Sequence, residues 1–422
     1  MKIIYLHQYF NTPAMPGGTR SYEFSKKLIK MGHKIEMITT YREQCKSEKW
    51  FKTKNNGINI HWLPLNYSNN MNFFNRLRVF FIFAWKAYFK AKKIDADIIY
   101  ASSTPLTIAI PAVFVKIKKN IPMVFEVRDL WPDVPIAMKI LKNPFLIYAA
   151  KLLELWAYKN SNSIVALSPQ MKKGIVAKKI DSKKIAIIPN SSDLEKFCLD
   201  KNSALNFRNR RKWLKNRPLL LYAGTFGKVN DLSYAVKLAK SLMMQNSEIR
   251  ILLIGDGAEK KKLVEEAKRN GVYKKNLFIE KQLPKKDMPA CLSAASMIAN
   301  FVVNIRENWA NSANKFFDGL AAGKPIFLNH GGWMQNLVSI NKCGLCMHGK
   351  KMEIVAKELN IALSDKKWLK FSGNASKNLA KKSNGDIRYF KNTLNSIIID
   401  SFTEYKIDIE KYKKDINYDI RS

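Results

Sequence analysis

The stretch NSANKFFDGLAAGKPIF, residues 311–327, predicts a helix that ends at Gly323, a turn, and an apolar strand. Lys315 and Asp318 lie three positions apart, so they share one face near the start of that helix. The N-terminus of a helix already favours anions, because its backbone N–H groups are free. The pair therefore predicts either a site for a phosphate and a sugar hydroxyl or a solvated surface salt bridge, and both interpretations are open at this point.

The same order of helix, turn and apolar strand recurs along the chain. In the second half the predicted strands are PLLLYAG, IRILLIG, LFIE, SMIANFV and PIFLN. In the first half they are KIIYLHQY, KIEMITT, NIHWLPL, DIIYASS, PMVFEV, SIVALS and KIAIIPN. The helices predicted between them include residues 19–32 and 140–160. Strands that alternate with helices in this way form parallel sheets.

A polar segment rich in Lys and Asn separates the two halves, and 422 residues exceed one ordinary core. We predict an α/β fold of two Rossmann-like, doubly wound parallel-sheet domains facing across a cleft, because such sheets bind ligands at the carboxyl ends of their strands. The predicted boundaries are 1–195 for the first domain, 196–217 for the linker, 218–385 for the second domain, and 386–422 for a helical tail that partly returns to the first domain.

The charge of the chain predicts an anionic partner. The formal net charge is +39, from 73 basic and 34 acidic residues. Nucleic acid, anionic lipid and phosphorylated small molecules all fit such a balance, and a compositional bias toward Lys, Asn and Ile explains part of it. Apolar residues make up 47%, which excludes wholesale disorder.

The compartment is predicted from the cysteines and from the apolar segments. Five scattered cysteines, an odd number, favour a reducing compartment. The C-x-x-C stretch 343–346 is interpreted as a turn, since only His348 lies nearby as a further metal ligand. We predict neither a signal peptide nor a transmembrane segment, because the longest uncharged stretch, 98–115, is interrupted by turn residues.

Glycines follow three predicted strands. Gly17 and Gly18 follow the first strand and precede a helix, so their backbone could approach a phosphate, with Arg20 adding a charge; a plain glycine turn is the alternative. In the second half Gly224, Gly227 and Lys228 follow one strand and Gly255 follows the next. Together these strand ends predict a cradle for a diphosphate.

Two further segments carry polar or amphipathic patterns. FEVRDLWPD places Arg128 and Asp129 at the end of a strand, where they either take part in chemistry or form a salt bridge that shapes the turn. Residues 71–93 contain eight aromatic and six basic side chains and no acid. On a helical wheel one side carries Arg76, Lys86, Lys90 and Lys93, and the other carries Phe74, Leu77, Phe81, Trp85 and Tyr88. This pattern is typical of a helix on an anionic membrane surface; a helix packed in the core is the alternative.

Taken in order, the motifs resemble a known family. GG after the first strand, ALSPQM, KIAIIPNSSDLEKF, YAGTFGK, LLIGDG and NSANKFFDGLAAGKPIF resemble the family 4 retaining glycosyltransferases of the GT-B fold, over about residues 1–345. HQYFNTP, RDLWPD and NSANKFFD look most like the amino-sugar transferases of bacterial O-antigen and capsule assembly, some of which use UDP-N-acetyl-L-fucosamine.

The resemblance implies roles for single positions. Asp318 stands where the family has the second Glu of an E-x7-E motif, so it would bind the ribose. The donor diphosphate would contact Gly17, Gly18, Lys228, Asn314 and Lys315, with Gly224, Gly227 and Gly255 lining the donor site. Lys315 and Asp129 would serve catalysis, and Arg20 and Arg128 would lie on the acceptor side.

The chain also departs from the family pattern. Ala310 replaces the first acid of the E-x7-E motif, and Thr225 and Asn230 replace the usual Arg and Lys after the second-half strand. The usual histidine is absent, with Asp129 closest to its place. Lys315 and Lys228 would then neutralise the diphosphate, so no metal or other cofactor is required. The D-x-D stretch 95–97 precedes a strand and is interpreted as a turn.

The predicted activity is therefore transfer of a sugar, with retention, from a UDP-sugar to a polyprenyl-diphosphate-linked saccharide. The enzyme is expected in the cytoplasm, peripheral on the inner face of the membrane through residues 71–93, without a nucleic-acid partner. Two alternatives stay open: a UDP-sugar 2-epimerase of the same fold, and a non-catalytic protein that binds polyanions or membranes.

Overall fold

A parallel β-sheet lies at the centre of each of the two compact units into which the chain divides. The computed structural model describes residues 1–385 except residues 16, 44–48, 68–70, 191, 193, 195–196 and 198–200. Among these, the first unit comprises Met1–Thr12 and Thr19–Pro189, and the second comprises Pro13–Gly18 and residues from Asn190 onward. Cys45, Cys198 and the predicted tail 386–422 lie outside the described residues.

The first sheet has eight strands in the order β3-β4-β2-β1-β5-β6-β7-β8. All neighbours pair in parallel except β3 and β4. The strands are β1 Lys2–Leu6, β2 Lys34–Tyr41, β3 Phe51–Asn55, β4 Ile58–Pro64, β5 Ile98–Ser102, β6 Met123–Val127, β7 Ser163–Ala166 and β8 Ile185–Ile187. The helices are α1 Arg20–Lys30, α2 Phe73–Ala91, α3 Ala109–Lys119, α4 Asp133–Ala137, α5 Pro144–Asn160 and α6 Pro169–Val176.

The second sheet has six parallel strands in the order β11-β10-β9-β12-β13-β14. They are β9 Leu219–Ala223, β10 Arg250–Ile254, β11 Leu277–Glu280, β12 Met297–Asn300, β13 Ile326–Leu328 and β14 Gly344–Cys346. The helices are α7 Lys201–Asn209, α8 Ser233–Met244, α9 Lys260–Arg269, α10 Met288–Ala294, α11 Asn314–Ala321, α12 Trp333–Ile340, α13 Met352–Ser364 and α14 Lys366–Gly385. In both units the strand order reverses beside the first strand, as in doubly wound folds.

All twelve predicted strands are present, and the prediction of parallel sheets is confirmed. Their near-continuous apolar sequence reflects burial on both faces. In β9, Leu219 and Leu221 pack into one core cluster, whereas Leu220 and Tyr222 pack into another, because alternate side chains point to opposite faces of the sheet. The D-x-D stretch lies in the turn before β5, where Asp97 accepts a hydrogen bond from the backbone N–H of Lys2.

Two strands, β3 and β14, were not predicted. β3 and β4 form a hairpin around Asn56 and Gly57, both of which have positive φ, so the Asn-Gly turn signal was present in the sequence. β14 is only three residues long and follows the turn residue Lys342. Its short apolar stretch, predicted only as part of a turn, completes the edge of the second sheet.

In the segment predicted as a linker, 196–217, the described residues 201–217 differ from that prediction. It contains α7, and both Phe207 and Leu214 are buried in the core of the second unit. Trp213 stacks on Phe278 of β11 with the ring centroids 3.6 Å apart. The segment has many polar residues and few apolar ones, so its sequence pattern resembles a linker. Its few apolar residues nevertheless pack in the core of the second unit.

The ends of β9 and β10 touch through their backbones. Gly224 N–H donates to the carbonyl of Ile254 at 2.9 Å, and Phe226 N–H donates to that of Asp256 at 2.8 Å. A Cβ added at Gly255 would lie 1.9 Å from the Gly224 carbonyl oxygen, so no larger residue fits. Glycine at position 255 therefore sets the distance between these two strand ends.

Substitution of Gly255 by Ala is expected to destabilise the second unit by about 3 kcal/mol, because backbone atoms would have to move apart. Gly227→Ala is the matched control, since an added Cβ there meets no atom closer than 3.8 Å and its φ of −112° suits any residue. Urea denaturation of both variants measures the difference. Equal stability of the two would contradict the close backbone contact.

Candidate functional site

Helix α11 presents the residues with which the sequence analysis began. It docks on the second sheet through Phe316, Phe317 and Leu320, which are buried. Gly319 lets the helix approach closely, because an added Cβ would lie 2.8 Å from Ile326 Cδ1 of β13. This packing leaves Asn314, Lys315 and Asp318 half-buried on the other side of the helix.

Lys315 reaches from the first turn of α11 to the end of β9. Its Nζ donates to Tyr222 Oη at 3.1 Å and to Asn230 Oδ1 at 3.0 Å, and it lies 4.4 Å from the centroid of the Tyr222 ring. Both partners are fixed by Thr225, whose carbonyl accepts from Tyr222 Oη and from Asn230 Nδ2. An added Cβ at Gly224 would lie 3.1 Å from Lys315 Cε, so this glycine makes room for the lysine.

The ammonium of Lys315 has no carboxylate partner among the described residues. Its contacts are two neutral oxygens and an aromatic ring, and burial lowers the pKa of Lys315 to about 7. The surface salt bridge between Lys315 and Asp318, one of the two alternatives from the sequence, is not formed. A buried cation without a counter-ion is a group prepared to bind an anion.

Asp318 lies one turn further along α11 and has its own partner. The hydroxyl of Ser192 donates to Asp318 Oδ1. Beside it, Asn190 donates from its side chain to the carbonyl of Ser312 and from its backbone to the Ser312 hydroxyl. Asn190 and Ser192 are thus held beside α11 within the second unit.

The glycines of the first loop lie in the second unit. Gly17 has a φ of 118°, which side-chain-bearing residues rarely adopt. An added Cβ at Gly18 would lie 3.1 Å from Asn314 Nδ2. Lys228, in a short 3₁₀ turn after β9, is exposed, and its role in binding a diphosphate stays a prediction, as does that of Gly227.

Two buried polar residues near Lys315 were missed by the sequence analysis. His330 follows β13, and its pKa is lowered to about 4, chiefly by burial and in part by the charge of Lys315. Its Nδ1–H donates to the Gly331 carbonyl, and its Nε2 accepts from Asn300 Nδ2 at 3.3 Å. The position of His330 at the carboxyl end of a strand was a signal that could have found it.

Arg20 is held inside the first unit. Its Nε donates to Glu126 Oε2 at 3.0 Å, and its two terminal nitrogens donate to the carbonyls of Pro189 and Ile188. Glu126 is fully buried and also accepts from Tyr100 and Ser102. Arg20 therefore neutralises a buried carboxylate, and we assign it to the structure of this unit.

Arg128 and Asp129 lie at the carboxyl end of β6, as predicted, but they do not pair with each other. Arg128 Nη1 donates to His7 Nε2 at 3.0 Å, and His7 Nδ1–H donates to Ser21 Oγ. Burial and the charge of Arg128 keep the pKa of His7 well below its usual value, so His7 is neutral. Asp129 is exposed and accepts from Thr104 Oγ1 at 3.2 Å.

No group of His, Cys, Asp and Glu side chains suited to a metal ion occurs in the described part of the chain. Within the same residues, no helix is both long and apolar enough to cross a membrane.

Comparisons with known proteins agree on the architecture. Residues 17–196 match the family model described as Glycosyltransferase Family 4, and residues 205–382 match that described as Glycosyl transferases group 1. A comparison with curated protein sequences gave no significant match.

Solved structures share the fold at low sequence identity. One of Anabaena HepE in complex with UDP and glucose is 14% identical, with a TM-score of 0.69 over 94% of this chain and all of that one. Sucrose-phosphate synthase from Thermosynechococcus elongatus is 16% identical, with a TM-score of 0.71 over 93% and 96% of the two chains. WaaG, a glycosyltransferase of lipopolysaccharide biosynthesis, is 14% identical, with a TM-score of 0.66 over 94% and 99%. The fold is the two-sheet GT-B fold.

Replacement of Lys315 by Met is expected to stabilise the ligand-free protein at or below pH 7, because it removes a buried charge without a counter-ion. Between the folded pKa of about 7 and the unfolded value of about 10.4, the unfolded wild type binds more protons, so its stability rises with pH relative to the variant. The advantage of the variant should therefore shrink as the pH rises through this window.

Thermal unfolding from pH 6 to pH 10 measures this difference between wild type and Lys315→Met. Lys228→Met serves as the control, because that lysine is exposed and its removal should give a difference independent of pH. A constant difference for Lys315→Met across the range would show that its ammonium is not desolvated.

Proposed function

Since the chain is a glycosyltransferase, with the Family 4 model over its first half and the group 1 model over its second, we propose that its donor is a UDP-sugar. In this proposal an N-acetylated amino sugar is transferred with retention to a polyprenyl-diphosphate-linked saccharide during O-antigen or capsule assembly. The observation that carries the donor assignment is the Lys315 ammonium beside the start of α11, which contacts two neutral oxygens and no carboxylate among the described residues.

The donor diphosphate is proposed to bind where cationic and N–H donors meet. Lys315 supplies a charge, and the first turn of α11 supplies free backbone N–H groups at the positive end of its dipole. Asn314 is the first residue of this turn, and Gly18 lies beside it. Asp318 would accept hydrogen bonds from the ribose hydroxyls, taking the place of the family's second Glu. A UDP ligand, as in the HepE structure, suits this set of groups.

In the proposed reaction the acceptor hydroxyl attacks the anomeric carbon on the face from which UDP departs. The bond to the diphosphate oxygen breaks, and a departing phosphate oxygen takes the acceptor proton, so no protein nucleophile is needed. Lys315 and exposed Lys228 stabilise the negative charge that develops on the diphosphate, which makes a metal ion unnecessary in this scheme. A pKa of about 7 lets Lys315 become fully protonated once the anion is bound.

The acceptor side is proposed to use the carboxyl end of β6. Asp129 is exposed there and would orient the acceptor hydroxyl. Arg128 donates one hydrogen bond to neutral His7, and its other N–H groups would bind an anionic acceptor. These roles follow the resemblance to the family and the position of both residues at a strand end. Arg20, enclosed by Glu126 and backbone carbonyls, is not included.

The enzyme is proposed to act in the cytoplasm, peripherally on an anionic membrane surface, through residues 71–93. Helix α2 buries Phe83, Ala84 and Ala87 against its own unit, whereas Phe74 and Trp85 are 75% and 67% exposed. Its aromatic side is therefore not packed in the core. Helix α5, which packs on α3, adds Phe145 and Tyr148, which are 82% and 66% exposed. Aromatic side chains among basic ones on a surface favour an anionic lipid interface.

UDP is expected to stabilise the protein in a thermal-shift titration, and Asp318→Asn should weaken UDP binding roughly tenfold, because a charged acceptor for the ribose is lost. Isothermal titration calorimetry gives the affinity of each protein. GDP and inorganic triphosphate are the controls and should stabilise less. Equal stabilisation by every polyanion, unchanged in the variant, would contradict a UDP site.

Trp85→Ser is expected to reduce binding to phosphatidylglycerol vesicles by about tenfold, because one large exposed apolar side chain no longer enters the interface. Co-sedimentation at a fixed salt concentration measures the bound fraction. Ile340→Ser is the matched control, since Ile340 is 78% exposed on α12 of the second unit. If both variants bind vesicles as the wild type does, α2 is not the docking helix.

A further inference from the structure

Three neighbouring strands of the first unit end beside the start of α2. β4, β2 and β1 are adjacent and parallel, so their carboxyl ends share one edge of the sheet. The residues that follow them include Tyr9 after β1, Arg42 after β2 and Tyr67 after β4. In a doubly wound sheet this is the edge at which ligands bind.

Helix α2 lies against the residues of this edge. Phe80 is 6.4 Å from the ring of Tyr9 and 6.2 Å from that of Tyr67, and the two tyrosine rings are 5.0 Å apart. Arg76 precedes Phe80 by four residues and therefore lies on the same face of the helix, in its first turn. The packing of Phe80 thus places Arg76 near the two tyrosines.

Neither arginine of this edge forms a salt bridge within the described residues, although the charge of Glu43 acts on Arg42. The Arg42 guanidinium lies 5.7 Å from the centroid of Tyr9 and donates one hydrogen bond, to Asn11; its Nε is buried without a partner. The Nε of Arg76 is likewise buried without a partner. The nearest acid in the sequence, Glu43, is exposed and accepts from the hydroxyl of Tyr41.

Two further observations fit a polar ligand at this edge. Gln8 is only 1% exposed, and neither atom of its side-chain amide has a hydrogen-bond partner in the structure. Burial raises the pKa of Tyr9, and Arg42 and Arg76 both oppose that rise, which means that both charges act on the same hydroxyl. Buried donors without partners destabilise a folded chain unless a ligand satisfies them.

We propose that Arg42 and Arg76 form a binding site for a phosphate ester at the carboxyl edge of β1, β2 and β4. Guanidinium groups match phosphate oxygens in geometry and charge, and the positive end of the α2 dipole adds to their field. The rings of Tyr9, Tyr67 and Phe80 lie at the same edge.

The site would serve the lipid-linked acceptor, an assignment that rests on the proposed function. Arg76 lies in the same helix as the exposed Phe74 and Trp85, so a polyprenyl diphosphate leaving the membrane surface would present its diphosphate beside the arginines. The phosphate group of an anionic lipid has the same chemistry and is the other possible source.

The first test is isothermal titration of farnesyl diphosphate into the full-length protein saturated with UDP, with farnesol as the uncharged comparison. Arg76→Gln and Arg42→Gln should each weaken farnesyl diphosphate binding by roughly ten- to hundredfold, as expected for the loss of a charge-assisted bond. Arg78→Gln is the matched control: it removes the same charge from the same helix, but Arg78 is exposed. Its effect should be less than about twofold, because exposed charges are screened.

A purely structural role would give a different result. Thermal unfolding of Arg76→Gln should show no loss of stability, because the described residues offer its Nε no hydrogen-bond partner, whereas a structural arginine would lower the midpoint. The proposal is overturned if Arg76→Gln weakens farnesyl diphosphate binding no more than Arg78→Gln does and the two variants also bind phosphatidylglycerol vesicles equally.

The vesicle measurement identifies the source of the phosphate. Selective loss of farnesyl diphosphate binding assigns the site to the acceptor, and selective loss of vesicle binding assigns it to a lipid headgroup. UDP affinity, measured in the same variants, should be unchanged. Absence of UDP binding in the wild type would contradict the proposed donor and leave the result for the arginine site standing.

Discussion

The backbone contact between the ends of β9 and β10 is the constraint on which the candidate donor site depends. Glycine at position 255 allows the two turns to bond through their main chains. That contact orders the loop from Tyr222 to Asn230. Tyr222 Oη and Asn230 Oδ1 accept hydrogen bonds from Lys315 Nζ. Because Lys315 belongs to α11, its hydrogen bonds connect this helix to the loop. The close packing of Gly319 on the sheet sets the distance between α11 and the sheet.

Charge compensation separates structural cations from candidate binding cations in this chain. Arg20 faces the fully buried Glu126, and Lys178 faces Glu154 and Asp133, so their charges are neutralised within the first unit. Lys315, Arg42 and Arg76 form no salt bridge among the described residues, although the charge of Glu43 acts on Arg42. The desolvation of an unpaired cation is unfavourable in the free protein and is recovered when an anion binds. Among the many cations of the chain, these few are therefore the candidates for binding an anion.

Most of the fold could be predicted from the sequence, because its signals are local. Apolar strand sequences such as PLLLYAG and IRILLIG are explained by burial on both faces, and glycine after a strand marked the turns. Helix α5 begins at Pro144, later than predicted, because Asn143 caps it. The linker prediction failed for a different reason: Phe207 and Leu214 are few among many lysines, and only the packed structure shows that they enter the core.

The site could be predicted only in part. The sequence alone determined that Lys315 and Asp318 share a helix face near its N-terminus, and that Arg128 and Asp129 end a strand, because helix and strand periodicity are properties of consecutive residues. The tertiary structure decided which partner each of them has. Lys315 meets Tyr222 and Asn230, Arg128 meets His7, and Arg42 meets Asn11, over separations of 31 to 121 residues. Such pairings depend on the order of strands in each sheet and on helix packing, which bring distant residues together and which no local pattern encodes.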